Sequence, residues 1–243
     1  MTTFCVGDEG TCSKVAVKDG RCIEHKIKKL SLQEALRPKT LDEIIGQDHL
    51  KTGIKNFIDQ ECQQWLFHGK TGTGKTSLAW IVARELQGFD YSVYDIREIN
   101  GGRTSDVREI LEKSDQRSCF NEGKYRVNIM DEAQELSDEA RGLLLKPLED
   151  QNSDYVWILC TMDVGKLHRA LRDRCPASFQ LKDMGQHERR QLVERAVKHL
   201  DYREDTAKFL KAIDQKELFS ARDVLGAFER FANGIPAEEA VGS

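Results

Sequence analysis

The octapeptide GKTGTGKT, Gly69 to Thr76, follows the short apolar run WLFH (Trp65–His68) and leads into the helix-like SLAWIVAREL. It fits G-x-x-x-x-G-K-[ST] at every fixed position, and a strand before it with a helix after it is the context that gives the pattern meaning. The glycines let the backbone turn so that several N–H groups converge, and a helix start adds positive potential at the same point. Gly69, Lys70, Thr71, Gly72, Thr73 and Gly74 are therefore expected to cradle the phosphates of a nucleotide. Lys75 would reach the β- and γ-phosphates, the Thr76 hydroxyl would hold Mg²⁺, and Ser77 would begin the helix beside them.

Outward from this loop, strand-like and helix-like stretches alternate. WLFH is followed by YSVYDI (91–96), YRVNIMD (125–131), YVWILCTM (155–162) and ASFQL (177–181), mostly with helical stretches between. Such alternation calls for crossover connections and a parallel sheet. On the other side of the loop, LDEIIGQDHLKTGIKNFIDQ carries apolar residues at helical spacing. From about Gly185 the strands stop, and HERRQLVERAVKHL, EDTAKFLKAID and SARDVLGAFERFA each show one apolar stripe. The expected architecture is α/β: a five-stranded parallel P-loop ATPase domain over 30–183, a small all-helical lid over 184–243, and a separate segment over 1–29.

The third strand ends in NIMDEAQ. An apolar strand ending in Asp-Glu downstream of a full phosphate loop assigns Asp131 to the metal side and Glu132 to the base that polarises the attacking water. Thr161 ends the fourth strand, on the carboxyl edge beside the other two motifs. Its hydroxyl either orients the water, meets the γ-phosphate, or is satisfied by backbone; spacing does not choose.

The chain has 243 residues, enough for one large domain or two smaller ones with a proper core. It is 39% hydrophobic and 32% charged with a net charge of −4, which disfavours a generally basic nucleic-acid binder but allows a local basic strip. No apolar run approaches 18 residues, so no membrane span is expected. MTTFCVGDEG lacks a basic region followed by an apolar one, so the expected location is cytoplasmic, or nuclear in a eukaryote. In a reducing compartment the seven cysteines point to metal rather than disulfides.

CVGDEGTCSKVAVKDGRCIEH offers Cys5, Cys12, Cys22 and His25, spaced C-x6-C-x9-C-x2-H. Three thiolates and an imidazole make a closed tetrahedral Zn²⁺ site, structural because no position is left open. The stretch also resembles small treble-clef-like zinc modules ending in Gly-x-Cys-x-x-His. It has too little apolar surface to fold alone, so its order should depend on zinc. With KIKK (Lys26–Lys29) it reads as a docking module for a partner or for DNA. Cys62, Cys119, Cys160 and Cys175 lack ligand spacing and are read as ordinary thiols.

From about Leu36 to Phe231 the chain resembles the clamp-loader group of AAA+ ATPases: replication factor C subunits and the gamma/tau subunit of bacterial DNA polymerase III. RPKTLDEIIGQDHL resembles the segment lining the adenine pocket, with Arg37, Pro38, Ile45 and Gly46 at matched positions. EINGGRTSDVREIL resembles the Asn-containing turn and the following Val-Arg. DEAQELSDEARGLLLKPLED resembles the run from the acidic box into Leu-Leu-Lys-x-Leu-Glu, and ILCTMDVGKLHRALRDRC the sensor strand, the Lys-Leu segment and the Ser-Arg-Cys motif. The resemblance implies that Thr161 is the first sensor, Arg222 a second sensor that binds the γ-phosphate from the lid, and Arg174 an arginine finger acting on a neighbour's ATP. It also implies ATP, Mg²⁺, a sliding clamp, primer-template DNA and further subunits, five in a ring. Arg103 and Arg108 fall where such proteins face DNA, although the nearby Asp106, Glu109 and Glu112 fit a merely solvated face.

Three departures accompany this. Asp173 stands where the family has Ser before the finger, and a carboxylate there either holds the finger back or helps seat it. The family continues past the lid into a helical collar, whereas this sequence stops at AVGS. Either partner subunits supply the collar, or assembly relies on the ATPase interfaces, or the chain is a truncated or compact viral form. The first 29 residues have no counterpart. A Holliday-junction or replication-fork remodeller is the competing ATPase, since RPKTLDEIIGQDHL suits it nearly as well; LLLKPLED and KLHRALRDRC fit loaders better. The competing non-enzyme is an ATP-gated adaptor that holds DNA or a partner.

Overall fold

The computed structural model describes residues 4–7, 10–15, 31–88, 96–100, 104–114, 125–150, 154–216 and 220–242. The chain divides into two compact units, Met1–Leu36 and Arg37–Ser243. In the first, strands β1 (Phe4–Gly7) and β2 (Gly10–Val15) pair antiparallel, with Val6 opposite Thr11 and Gly7 opposite Gly10. Helix α1 (Leu32–Ala35) is opened by a capping box: the Ser31 hydroxyl accepts from the Glu34 N–H while the Glu34 carboxylate accepts from the Ser31 N–H.

The second unit is built on a five-stranded sheet of β3 (Gln64–His68), β4 (Ile96–Asn100), β5 (Arg126–Asp131), β6 (Tyr155–Thr161) and β7 (Ala177–Gln180). The strand order is β4-β5-β6-β3-β7, and every neighbouring pair is parallel. Successive side chains of a strand point to opposite faces, and here both faces are covered. Trp65, Phe67, Ile129, Ile158 and Cys160 enter one apolar cluster, which also takes Leu78, Ile81 and Val82 of α3 (Lys75–Gln87) and Ile54 of α2 (Asp48–Asp59). The alternate residues Leu66, Met130, Trp157 and Leu159 enter the other, with Val107 of α4 (Thr104–Ser114), Leu144 and Leu148 of α5 (Asp138–Glu149), and Leu171 of α6 (Arg169–Arg172). Continuous burial of Trp65–Phe67 and of Val156–Thr161 follows from this double cover, and it explains why the strands read as unbroken apolar runs.

Four of the five strands lie where the sequence predicts them. The exception is the second: the described strand is IREIN, and of the predicted YSVYDI only Ile96 belongs to it, residues 91–95 lying outside the described residues.

After β7 the lid consists of α7 (Gln186–Leu200), α8 (Ala207–Gln215), α9 (Ala221–Ala232) and a fourth helix, α10 (Ala237–Gly242), that the sequence reading does not anticipate. Arg230 of α9 holds it by donating from Nε and Nη2 to the Ala240 carbonyl at 3.0 and 2.7 Å. The lid core is aromatic: Phe209 stacks on Phe231 at 5.1 Å and meets Phe228 edge-on at 5.3 Å.

Candidate nucleotide site at the carboxyl edge of the sheet

Parallel pairing puts His68 opposite Thr161 and Asn100 opposite Asp131, so the strand ends meet along one edge. The phosphate loop leaves β3 there. Two of its glycines are required by their surroundings. A Cβ on Gly69 (φ +147°) would lie 2.5 Å from the Leu181 carbonyl oxygen. On Gly72 (φ +76°) it would lie 2.5 Å from Ser220 Oγ and 3.3 Å from Arg222 Cβ, so the lid rests directly on the loop. Ser220 caps α9, accepting from the Asp223 N–H at 3.1 Å, and this cap fixes the first turn of the helix, which carries Arg222.

Lys75 is 6% exposed, and its Nζ donates to the carbonyls of Gly69 and Lys70 at 2.8 and 2.9 Å. Burial lowers its pKa from the ordinary lysine value, while Glu132, Cys160 and Asp131 act the other way and Arg222 adds to the lowering. Asp131, Glu132 and the lid's Arg222 thus each lie within electrostatic reach of Lys75. Thr73 Oγ1 donates to the Lys70 carbonyl at 2.8 Å, and Lys70 itself pairs with Asp183.

Thr76 Oγ1 donates to Asp131 Oδ2 at 2.7 Å, joining the helix start to the end of β5. A hydroxyl and a carboxylate side by side are hard oxygen donors of the kind Mg²⁺ takes, so this pair fits the metal the loop implies. Asp131 Oδ1 accepts from the Glu132 N–H at 3.0 Å. Glu132 itself adopts a left-handed backbone (φ 52°), opening a 3₁₀ turn over Ala133–Glu135. That turn swings Gln134 back over the sheet edge. Its Nε2 donates to Glu132 Oε2 at 2.7 Å, and its Oε1 accepts from Thr161 Oγ1 at 2.6 Å. The Thr161 hydroxyl is thus engaged mainly by a side chain, with the Asp163 carbonyl further off at 3.1 Å.

At the base of the lid, Arg37 Nε donates to Ser77 Oγ at 3.2 Å, next to the loop, with Pro38 half-buried behind it. Ile45 and Gly46 are half-buried, and Gly46 faces α7: a Cβ on it (φ +73°) would lie 3.1 Å from Glu188 Cγ. Gln47 clasps the strand-to-lid connection, donating to the Lys182 carbonyl at 2.7 Å and accepting from its N–H at 3.0 Å.

Arg174 does not join these contacts. Its Nε donates to Glu149 Oε1 at 3.0 Å, its Nη2 also pairs with Glu149, and its Nη1 donates to the Ala170 carbonyl at 2.7 Å. The carboxylate that engages it is Glu149 of α5; Asp173 turns to Arg169 at 3.3 Å instead. Arg108 is exposed on α4 and pairs with Glu139 at 2.8 Å, while Arg103 lies outside the described residues. Cys5 and Cys12 belong to β1 and β2 by backbone, and Cys22 and His25 lie outside the described residues. Among the described residues no group of three or more His, Cys, Asp and Glu side chains is arranged to hold a metal ion. Cys160 and Cys175 are buried thiols whose pKa values burial raises, that of Cys175 to about 12. No helix among the described residues is long and apolar enough to cross a membrane.

Gln134 and Glu149 were not singled out by the sequence. Gln134 stands inside the quoted acidic box, but its partnership with Thr161 depends on the left-handed turn at Glu132, which spacing does not reveal.

Residues 65–183 match the family described as ATPase family associated with various cellular activities (AAA). The chain carries an AAA ATPase domain. The chain is similar to the DNA polymerase III subunit gamma of Buchnera aphidicola, with 26% identity over 82% of this chain and 59% of that protein. It is also similar to replication factor C subunit 3 of Saccharomyces cerevisiae, with 33% identity over 58% of this chain and 43% of that protein. Among solved structures, the Thermotoga maritima RuvB Holliday junction branch migration motor shares the fold of the AAA domain and lid. Its TM-score is 0.64 at 24% identity, covering 85% of this chain and 70% of that one. The chain spans 43–61% of the length of the curated relatives it matches.

Proposed function

We propose that this protein is an ATP-hydrolysing subunit of a sliding-clamp loader, which opens a ring-shaped clamp and leaves it closed on primer-template DNA. The observation that carries the reading is the convergence of Lys75, the Thr76–Asp131 pair, Glu132 and Thr161 on one sheet edge beneath Arg222. Its setting supports it: the chain resembles replication clamp-loader subunits over most of its length.

In this reading the loop N–H groups and Lys75 bind the β- and γ-phosphates, and Thr76 and Asp131 would hold Mg²⁺, which would supply charge neutralisation when bound. Glu132 accepts a proton from water as the water oxygen bonds to the γ-phosphorus and the bond to the bridging oxygen of ADP breaks. Thr161 orients the reacting groups. Arg222 meets the γ-phosphate, so the lid closes on triphosphate, and Gly72 against Ser220 marks the hinge of that contact. Arg174 serves the ATP of a neighbouring subunit in a ring, and to do so it exchanges Glu149 and the Ala170 carbonyl for phosphate oxygens. Such fingers are worth about 10³–10⁵ in rate. DNA contact by Arg103 and Arg108 would be to the backbone, with Arg108 giving up an exposed ion pair worth ~1 kcal/mol or less.

In the same reading Cys5, Cys12, Cys22 and His25 hold a structural zinc ion, a reading that rests on their ligand spacing in the sequence. A purified chain without stoichiometric zinc would remove that part alone.

ATPase assays test the whole. Hydrolysis should rise strongly with primer-template DNA plus the cognate clamp, and Arg174→Ala should abolish the rise while ATP binding stays intact. An adaptor that merely holds ATP would show neither effect, and a junction remodeller would respond to branched DNA without a clamp.

A further inference from the structure

Gln134 sits between the two groups that the ATPase reading needs to act together, and the chemistry of its neighbours determines which way its amide points. Glu132 Oε2, at 2.7 Å, belongs to an acceptor-only carboxylate and must face the Nε2 donor. The Met162 N–H, at 3.4 Å, is donor-only and must face Oε1. Thr161, 2.6 Å from Oε1, therefore spends its single hydroxyl hydrogen on Gln134. The Asp163 N–H donates back to Thr161 Oγ1 at 3.3 Å. Thr161 is completely buried, and Glu132 and Gln134 are half-buried, so the hydrogen bond between Thr161 and Gln134 is at the buried end of the chain.

From this we propose that Gln134 is a positioning residue that couples the sensor Thr161 to the base Glu132. In the structure as it stands, the hydrogen that Thr161 would offer to a γ-phosphate oxygen or to the attacking water is committed to Gln134, and Gln134 in turn holds the Glu132 carboxylate. When Thr161 turns its hydroxyl to the phosphate, Oε1 loses its strongest donor. The amide then turns and, through Nε2, steers the Glu132 carboxylate toward the water, so a chain lacking Gln134 or the Thr161 hydroxyl leaves the base unsteered. Arrival of the γ-phosphate and readiness of the base become one event. The coupling rests on the ATPase reading but concerns a residue outside the phosphate loop, the acidic pair and the sensors.

A double-mutant cycle tests it on the full-length chain, with single-turnover ATP hydrolysis measured at concentrations high enough for self-association. Fluorescent-ATP binding in Mg²⁺ is followed in parallel. Gln134→Ala and Thr161→Val should each lower the hydrolysis rate about tenfold or more, with ATP affinity within about twofold of wild type. The double variant should be no slower than the slower single variant. Gln134→Glu, which keeps the shape but puts an acceptor against Glu132, should behave like Gln134→Ala. Unchanged binding shows that the variants are folded, and a purely structural role would move binding and turnover together. Rate losses that multiply, or a Gln134→Ala chain at wild-type rate, overturn the coupling while leaving the ATPase reading in place. A wild-type chain with no turnover overturns that reading and the coupling with it.

Discussion

Replacing Gly72 by Ala should disturb the site from the lid side. Two separable costs follow from the structure. Gly72 has φ +76°, where an L side chain costs roughly 1–2 kcal/mol. The added methyl would also lie 2.5 Å from Ser220 Oγ and 2.7 Å from Ser220 Cβ, closer than real Cβ atoms come. Relieving that overlap moves the start of α9, and overpacking of this kind costs about 1–3 kcal/mol. The expected sum is roughly 2–5 kcal/mol of stability if the lid stays docked. The more favourable response is for the lid to swing away, which carries Arg222 off the loop. Gly72→Ala should therefore show a smaller stability loss, about 1–2 kcal/mol, together with a large loss of ATP affinity and turnover. Ser220→Gly removes both close atoms, and a glycine cap weakens a helix by only a few tenths of a kcal/mol relative to Ser. The Gly72→Ala/Ser220→Gly double variant should recover most of the ATP affinity while keeping the backbone cost. Urea denaturation with ATP titration measures both quantities. Ser220→Gly failing to restore any affinity would refute the steric argument, and a Gly72→Ala chain as stable as wild type would refute the conformational one.

Trp65 is fully buried between Phe57, Phe67 and Phe179, so Trp65→Ala should cost about 3–5 kcal/mol in urea denaturation; a loss under about 1 kcal/mol would mean that the cluster repacks. Glu149→Gln removes the charge that engages Arg174 at a partly exposed pair, so stability should change by less than about 1 kcal/mol. Clamp-stimulated hydrolysis should rise at limiting chain concentration, because the guanidinium is released. A fall as deep as that of Arg174→Ala would show that Glu149 seats the finger rather than withholding it.

Much of this protein was legible along the chain. The phosphate loop, the Asp131–Glu132 pair and four of the five strands are local: each needs only a few consecutive residues whose types are dictated by backbone geometry, charge or double-sided burial. Thr161 could be placed at the sheet edge because parallel strands end together, but its partner could not be named. The second strand was harder, since IREIN alternates apolar and charged residues and lacks the unbroken apolar run that marks the central strands. It lies at the edge of the sheet beyond β5, with no further strand beside it among the described residues.

The sequence by itself determined the α/β class, the place of the phosphate-loop motif between a strand and a helix, and the change to helices after Gly185, because those depend on periodicity and on motifs contiguous in the chain. Only the tertiary structure decided that Gln134 bridges Glu132 and Thr161, that Ser220 presses on Gly72, and that Glu149 rather than Asp173 engages Arg174. Each of those contacts depends on where a turn or a helix end projects a side chain. A single left-handed residue, a cap or a rotamer changes that projection by several ångströms without changing the pattern of apolar and polar residues.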